Sequence, residues 1–201
     1  MKDFSKGGII WICGTINTGK SSLAKALYNQ MRNIYGHKVR LFDRLYDRVL
    51  EKRLMSESYE AYIKRLTFLF FEIVRQGGIV IAANILGNQS IRSMISEDIR
   101  DLNRLEPFIE ATNTCFILCK CGVSTQLARD KKCELIKFYT GEISRVPGKD
   151  MEFDYVNEET RLSGNLSYSE NTGSEFFGTY TLDTSILNPE ECTNEFLKLC
   201  V

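Results

Sequence analysis

Short apolar runs alternate along this chain with longer stretches whose apolar residues recur every three to four positions. Gly8 to Cys13 is an unbroken apolar run of strand length, and 38–42 (KVRLF), 79–83 (IVIAA) and 114–121 (TCFILCKC) read as further buried strands. Between the first two, Lys20 to Ile34 carries Leu23, Ala24, Leu27, Met31 and Ile34 at helical spacing and stops before Gly36. Ser58 to Gln76 has an apolar stripe of Tyr59, Tyr62, Ile63, Leu66, Phe70, Ile73 and Val74 and breaks at Gly77-Gly78. Ser90 to about Leu105, closed by Pro107, and Val123 to about Tyr139 are two more expected helices. Tyr180 to Asp183 is a last short strand. Pro189, followed by Glu190 and Glu191, suits a helix start, and that helix turns Cys192, Phe196, Leu197 and Cys200 inward.

This alternation predicts an α/β fold in three layers, a central parallel sheet with helices on both faces. The 201 residues suffice for a single domain spanning 1–201. One stretch departs from the pattern. Asn157 to Gly178 (NEETRLSGNLSYSENTGSEFFG) is rich in small and polar residues and reads as a long loop, a hairpin or an insertion.

Composition narrows the function classes. Lys plus Arg total 26 and so do Asp plus Glu, so no global charge argues for nucleic acid or an anionic membrane as a partner. No apolar run approaches the ~20 residues of a membrane span. The opening MKDFSKGG has no apolar signal core. The expectation is a cytoplasmic chain whose seven cysteines, an odd number, stay reduced. Cys119-Lys-Cys121 suggests a metal only weakly. A zinc site needs two more ligands, and His37 is the only histidine.

The chemistry lies at Gly14-Thr-Ile-Asn-Thr-Gly19-Lys20-Ser21, which fits G-x-x-x-x-G-K-[ST] between an apolar strand and an amphipathic helix. Small residues let backbone N–H groups curl around phosphates. A lysine neutralises the β and γ oxygens, a serine hydroxyl reaches Mg²⁺, and the helix N-terminus favours the anion. Gly14, Thr15, Asn17, Thr18, Gly19, Lys20, Ser21 and Ser22 are therefore the candidate nucleotide-binding residues. The loop alone does not separate a kinase from a GTPase or a motor ATPase. No Asn-Lys-x-Asp guanine reader is present, and the strand at 79–83 runs into Ala83-Asn84 with no Walker B acid. The strand at 38–42 instead ends at Asp43. That placing suits a small-molecule kinase, in which the carboxylate orients Mg²⁺ or the acceptor hydroxyl. A turn or cap acid is the plainer use of the same residue.

With these residues in view the chain resembles the adenylylsulfate kinase family. IIWICGTINTGKSSLAKAL at 9–27 is similar to that family's strand, loop and helix. Gly77 to Ala83 looks like its third-strand segment, and Arg129-Asp130 with Lys132, then Gly141-Glu142-Ile143, keeps its lid spacing. Leu182-Asp183-Thr184 and Pro189-Glu190-Glu191-Cys192 are similar to its closing segments. The resemblance implies a P-loop nucleotide-kinase-like fold with a lid at about 129–154. It implies transfer of a phosphoryl group from ATP, with Mg²⁺, to the 3′-hydroxyl of a nucleotide-like acceptor, and a homodimer. Arg129 and Lys132 would face ATP and stabilise charge, although a surface ion pair is the common alternative for an Arg. Lys20, Asp43 and Arg129 are thereby the catalytic candidates, with Ser21 and Asp43 for the metal.

The departures fall on the acceptor side. The family's L-D-G-D-N-x-R stands here as Leu41-Phe-Asp43-Arg-Leu45-Tyr46-Asp47-Arg48, its N-I-R-R as Tyr62-Ile-Lys64-Arg65, and its F-I-S-P as Asn84-Ile-Leu-Gly87. The resemblance leaves Asp43, Arg48, Arg65 and Asn84 as acceptor-binding candidates, with a solvated helix face as the alternative for Arg48, Lys64 and Arg65. Tyr46, Tyr59 and Tyr62 could stack on an acceptor base, against a core role for the last two. The expectation is a kinase with a changed acceptor, for which a cytidine diphosphoramidate kinase is a candidate by analogy. The alternatives are a true adenylylsulfate kinase and a catalytically weak nucleotide-binding module.

Overall fold

The computed structural model describes residues 4–43, 57–84, 86, 89–105, 113–130, 137, 140–142, 160–163, 166–169 and 177–198. Strand β1 (Gly8–Gly14) leads through the phosphate loop into α1 (Lys20–Tyr35), a short 3-10 turn, and β2 (Val39–Asp43). Helix α2 (Tyr59–Arg75), β3 (Ile79–Asn84), α3 (Gln89–Leu105) and β4 (Asn113–Lys120) follow. Then come α4 (Val123–Ala128), β5 (Thr160–Ser163), β6 (Leu166–Ser169), β7 (Phe177–Asp183) and α5 (Pro189–Leu197).

The seven strands form one sheet in the order β2-β3-β1-β4-β7-β6-β5. The first five in that order run parallel, with Ile10 opposite Ile81 and Cys115, Asp43 opposite Ala83, and Ile117 opposite Tyr180. The 157–178 stretch is a hairpin in its described part. β5 and β6 pair antiparallel, and β6 pairs antiparallel with β7, so the hairpin widens the sheet.

Strand alternation sorts the core into two layers. Ile10 and Ile12 pack with Leu23, Leu27, Met31, Ile117, Leu182 and Phe196, under α1 and α5. Ile9 and Trp11 pack with Leu66, Phe70, Val80, Ile95, Ile99 and Phe116, under α2 and α3. Both layers are closed to water, which explains why the strands read as continuous apolar runs.

Local chemistry explains the element ends. Ser58 caps α2 by accepting from the Ala61 N–H at 3.1 Å. Asn188 caps α5 in a capping box with Glu191, with Pro189 in the first turn. Two details differ from the expectation. Ile34 is exposed in the last turn of α1, and Tyr35 packs there instead. Helix α4 ends at Ala128, well short of Tyr139: the Arg129 N–H still makes the helical bond to the Thr125 carbonyl, the Asp130 N–H closes a tighter turn on the Leu127 carbonyl, and both side chains bond elsewhere. The chain is helical again at Lys137, and most of the expected lid lies outside the described residues. No helix among the described residues is long and apolar enough to cross a membrane.

Candidate active site

The carboxyl ends of the five parallel strands lie on one edge of the sheet, where open α/β sheets place their ligands. Gly14, Asp43, Asn84, Lys120 and Asp183 are the terminal residues there. Chain connections from β1 run to one side and those into β4 to the other, so the crevice opens beside β1, where the phosphate loop begins.

Two glycines of the loop serve different ends. A Cβ at Gly14 would stand 2.6 Å from Thr18 Oγ1 and 2.7 Å from the Cys119 carbonyl oxygen, so space demands glycine. Gly19 has room for a Cβ but sits at φ 86, ψ 12, so backbone conformation demands it. Asn17 is also left-handed, at φ 59. Left-handed residues at 17 and 19, flanking Thr18, make the concave backbone turn that gathers N–H groups toward an anion.

The loop is fastened from several directions. Thr18 Oγ1 and Lys20 Nζ both donate to the Thr15 carbonyl, at 2.9 and 2.5 Å. Gln126 Nε2 donates to Thr15 Oγ1 at 3.3 Å and to the Cys121 carbonyl at 3.2 Å. Asn17 Nδ2 donates to Asp130 Oδ1 at 2.8 Å, and the Cys121 thiol lies 3.9 Å from the Asn17 carbonyl. Thr184 Oγ1 donates to the Thr18 carbonyl at 2.7 Å. Each peptide N–H points opposite to the carbonyl it follows. Tying the Asn17 and Thr18 carbonyls to Cys121 and Thr184 therefore turns the Thr18 and Gly19 N–H groups the other way.

Lys20 is half-buried at the start of α1, and burial pushes its pKa below the ordinary lysine value. Asp43, which is buried, acts on it electrostatically. The thiols of Cys13 and Cys119 lie near the same ammonium, and burial raises both, Cys13 to about 12. They are neutral at ordinary pH and add no countercharge to that of Asp43. No acidic residue occupies the first turn of α1. A polyphosphate anion fits this chemistry: a helix N-terminus with no acid in its first turn, a paired left-handed loop and an ammonium. A hard cation fits Ser21 and Asp43, whose oxygens suit Mg²⁺. Among the described residues no group of three or more His, Cys, Asp or Glu could hold a metal, so further ligands would come from phosphate and water.

Of the candidates, Gly14, Thr15, Asn17, Thr18, Gly19, Lys20, Ser21 and Ser22 share the loop and the first turn of α1. Ser21 is half-buried and Ser22 exposed. Arg129 joins them. Its Nη2 donates to the Thr184 carbonyl at 2.6 Å and its Nη1 to Thr184 Oγ1 at 3.3 Å, while Nη1 lies 3.5 Å from where a Cβ on Gly19 would stand. Among the described residues it bonds to Thr184 atoms, not to the acid of a surface ion pair. Asn84 is half-buried and opposite Cys13, at the same edge as Asp43. Arg65 is turned elsewhere: its guanidinium grips Glu57 through two bonds of 3.0 and 3.1 Å and lies 5.5 Å from the centre of the Tyr62 ring. Lys64 meets Asp98 on α3 at 3.8 Å. Tyr62 is buried in the α2 core layer, and the half-buried Tyr59 has its ring 6.4 Å away. Arg48, Tyr46, Asp47 and Lys132 lie outside the described residues.

The sequence reading gave no role to Gln126, Asp130 or Thr184 in holding the loop. Asp130 and Thr184 belonged to recognised motifs, but their partners are 113 and 166 positions away. Gln126 carried no signal at all.

The model of the adenylylsulphate kinase family matches residues 6–162. The chain is 29% identical over 148 residues to a cytidine diphosphoramidate kinase of Campylobacter jejuni, covering 73% of this chain and 79% of that one. It is 29% identical over 202 residues to the adenylyl-sulfate kinase of Bacillus licheniformis, covering 98% and 86%. The structure of the Mycobacterium tuberculosis APS kinase in complex with AMPPNP and APS superposes with a TM-score of 0.68 at 17% identity, covering 96% of each chain. That likeness shows a shared fold.

Proposed function

Because this chain belongs to the adenylylsulphate kinase family and is a kinase of that type, we propose that it transfers the γ-phosphoryl group of ATP to the 3′-hydroxyl of a nucleotide-like acceptor other than adenylylsulfate. The observation that carries the reading is the meeting of Asp43 and Lys20, a buried carboxylate within electrostatic reach of the phosphate-loop ammonium.

Lys20 and the N–H groups of the loop hold the β and γ phosphates. Ser21 and Asp43 would hold Mg²⁺, which when bound would offset phosphate charge. Asp43 orients the acceptor hydroxyl or takes its proton, the general-base task that needs a carboxylate beside the transferring group. Arg129, fixed by Thr184 next to Gly19, supplies positive charge as the phosphoryl group moves, and Lys132 adds to it. Arg48, Asn84 and Arg65 are the acceptor-side candidates, with Arg65 able to act there only by releasing Glu57.

A changed acceptor is supported by Tyr62 and its neighbours. Where the family has asparagine this chain has a buried aromatic ring with Tyr59 beside it and Arg65 over it. The identity to relatives with two different acceptors is the same, 29% in each case, so identity favours neither. The fuller coverage of the Bacillus licheniformis enzyme supports the second reading, a true adenylylsulfate kinase. A panel of nucleotides and nucleotide-linked sugars, incubated with ATP and Mg²⁺ and read by mass for gain of one phosphate, separates the two. Preferred turnover of adenylylsulfate would overturn the changed acceptor, and no phosphate transfer to any acceptor would favour a weak nucleotide-binding module.

A further inference from the structure

Asn17 is the one non-glycine residue with positive φ among the described residues. A left-handed residue with a Cβ is strained, and Asn is among the few that bear it, because its short amide can bond locally. Here that amide bonds to a residue 113 positions away, the Asp130 carboxylate, at 2.8 Å. Asp130 is 8% exposed, and its own N–H is tied to the Leu127 carbonyl at 3.1 Å. The contact is therefore charge-assisted, screened from water and anchored on the end of α4. Gln126, one helical turn earlier, grips Thr15 of the same loop.

We propose that Asn17 and Asp130 form a clasp that fixes the left-handed turn of the phosphate loop, making Asp130 a positioning residue for nucleotide phosphate. The clasp acts through Asn17. With its side chain held by Asp130 and its carbonyl facing the Cys121 thiol, the Asn17–Thr18 peptide has one orientation, and the Thr18 N–H is aimed away from Cys121. This inference rests on the reading of the loop as a nucleotide site.

The test is ADP binding with Mg²⁺ to the full chain, by calorimetry, alongside the thermal midpoint of the free protein. Asn17→Asp sets two carboxylates against each other and is expected to weaken ADP by about tenfold or more, the worth of one bond to a charged group. Asp130→Asn in that background restores one carboxylate and one amide donor, and is expected to recover most of the lost affinity. Asp130→Ala is the independent check, expected to weaken ADP similarly. A merely structural pair would lower the thermal midpoint and leave ADP affinity alone. The proposal falls if Asn17→Asp and Asp130→Ala bind ADP as the parent does, or if the double variant recovers nothing. If the parent itself fails to bind ADP, the nucleotide reading fails first.

Discussion

The hydroxyl of Thr184 donates to the carbonyl of Thr18 at 2.7 Å, joining the end of the last parallel strand to the middle of the phosphate loop. The same hydroxyl receives Arg129 Nη1, and the Thr184 N–H bonds to the Lys120 carbonyl at 2.8 Å. One small side chain thus connects the loop, β4, β7 and the arginine. Thr184→Val keeps the shape and removes the hydroxyl. It is expected to weaken ADP binding several-fold, in line with the ~1 kcal/mol worth of a hydrogen bond, with Thr184→Ser losing less. Calorimetric titration of both variants checks this.

Asp43→Asn removes the carboxylate charge and keeps the volume. Loss of a positioned general base lowers turnover by about 10²–10⁴-fold. ADP binding should fall far less, because the phosphates are held by the loop. A turnover number and an ADP dissociation constant measured on the same variant test the split. Equal loss in both would mean that Asp43 serves nucleotide binding rather than the acceptor.

Burial lowers the Lys20 pKa, so its charge is lost at a lower pH than that of an ordinary lysine. ADP affinity is expected to fall as pH rises through that lowered value, below 10.5, where Lys20 becomes neutral. The free protein should behave oppositely. A lysine whose folded pKa is depressed binds fewer protons folded than unfolded in that window, so stability rises with pH between the folded value and 10.5. Lys20→Met should flatten both trends. ADP titrations and denaturant midpoints at matched pH values measure them.

Cys13, Cys115, Cys119 and Cys192 are buried, and burial raises Cys13 to about 12 and Cys192 to about 11. Cys121 is the one described cysteine that is partly exposed. At neutral pH, iodoacetamide is expected to label Cys121 ahead of those four. ADP should slow that labelling, since the thiol faces the Asn17 carbonyl. Peptide mass mapping of timed reactions reads both effects.

Much of the fold was legible because its elements are chemically punctuated. Gly36, Ser58, Gly77 and Pro189 mark ends within a residue or two of where the helices stop and start. Four of the five parallel strands are legible as apolar runs because both sheet faces are covered, while β7, with its threonines, is legible only from Tyr180 to Asp183 although it begins at Phe177. The end of α4 is not legible in the sequence: Asp130, just beyond it, bonds to Asn17, a long-range contact with no local sign. The hairpin at 160–169 was one of three readings left open, because polar strands at a sheet edge look like loop. At the site, the phosphate loop declared itself through spacing. The sequence leaves Arg65 as an acceptor-binding candidate or a charge on a solvated helix face, and only the fold reveals that Glu57 holds it. Gln126 and Thr184 are ordinary polar residues whose importance comes from what the chain folds them against.

The most direct measurement is kcat/KM for phosphate transfer from ATP to adenylylsulfate, set against the best acceptor from a nucleotide panel under the same conditions. Another nucleotide-like hydroxyl is expected to be preferred by at least about tenfold, with phosphate gained at its 3′ position and lost activity in Asp43→Asn. Adenylylsulfate emerging as the preferred acceptor would contradict it.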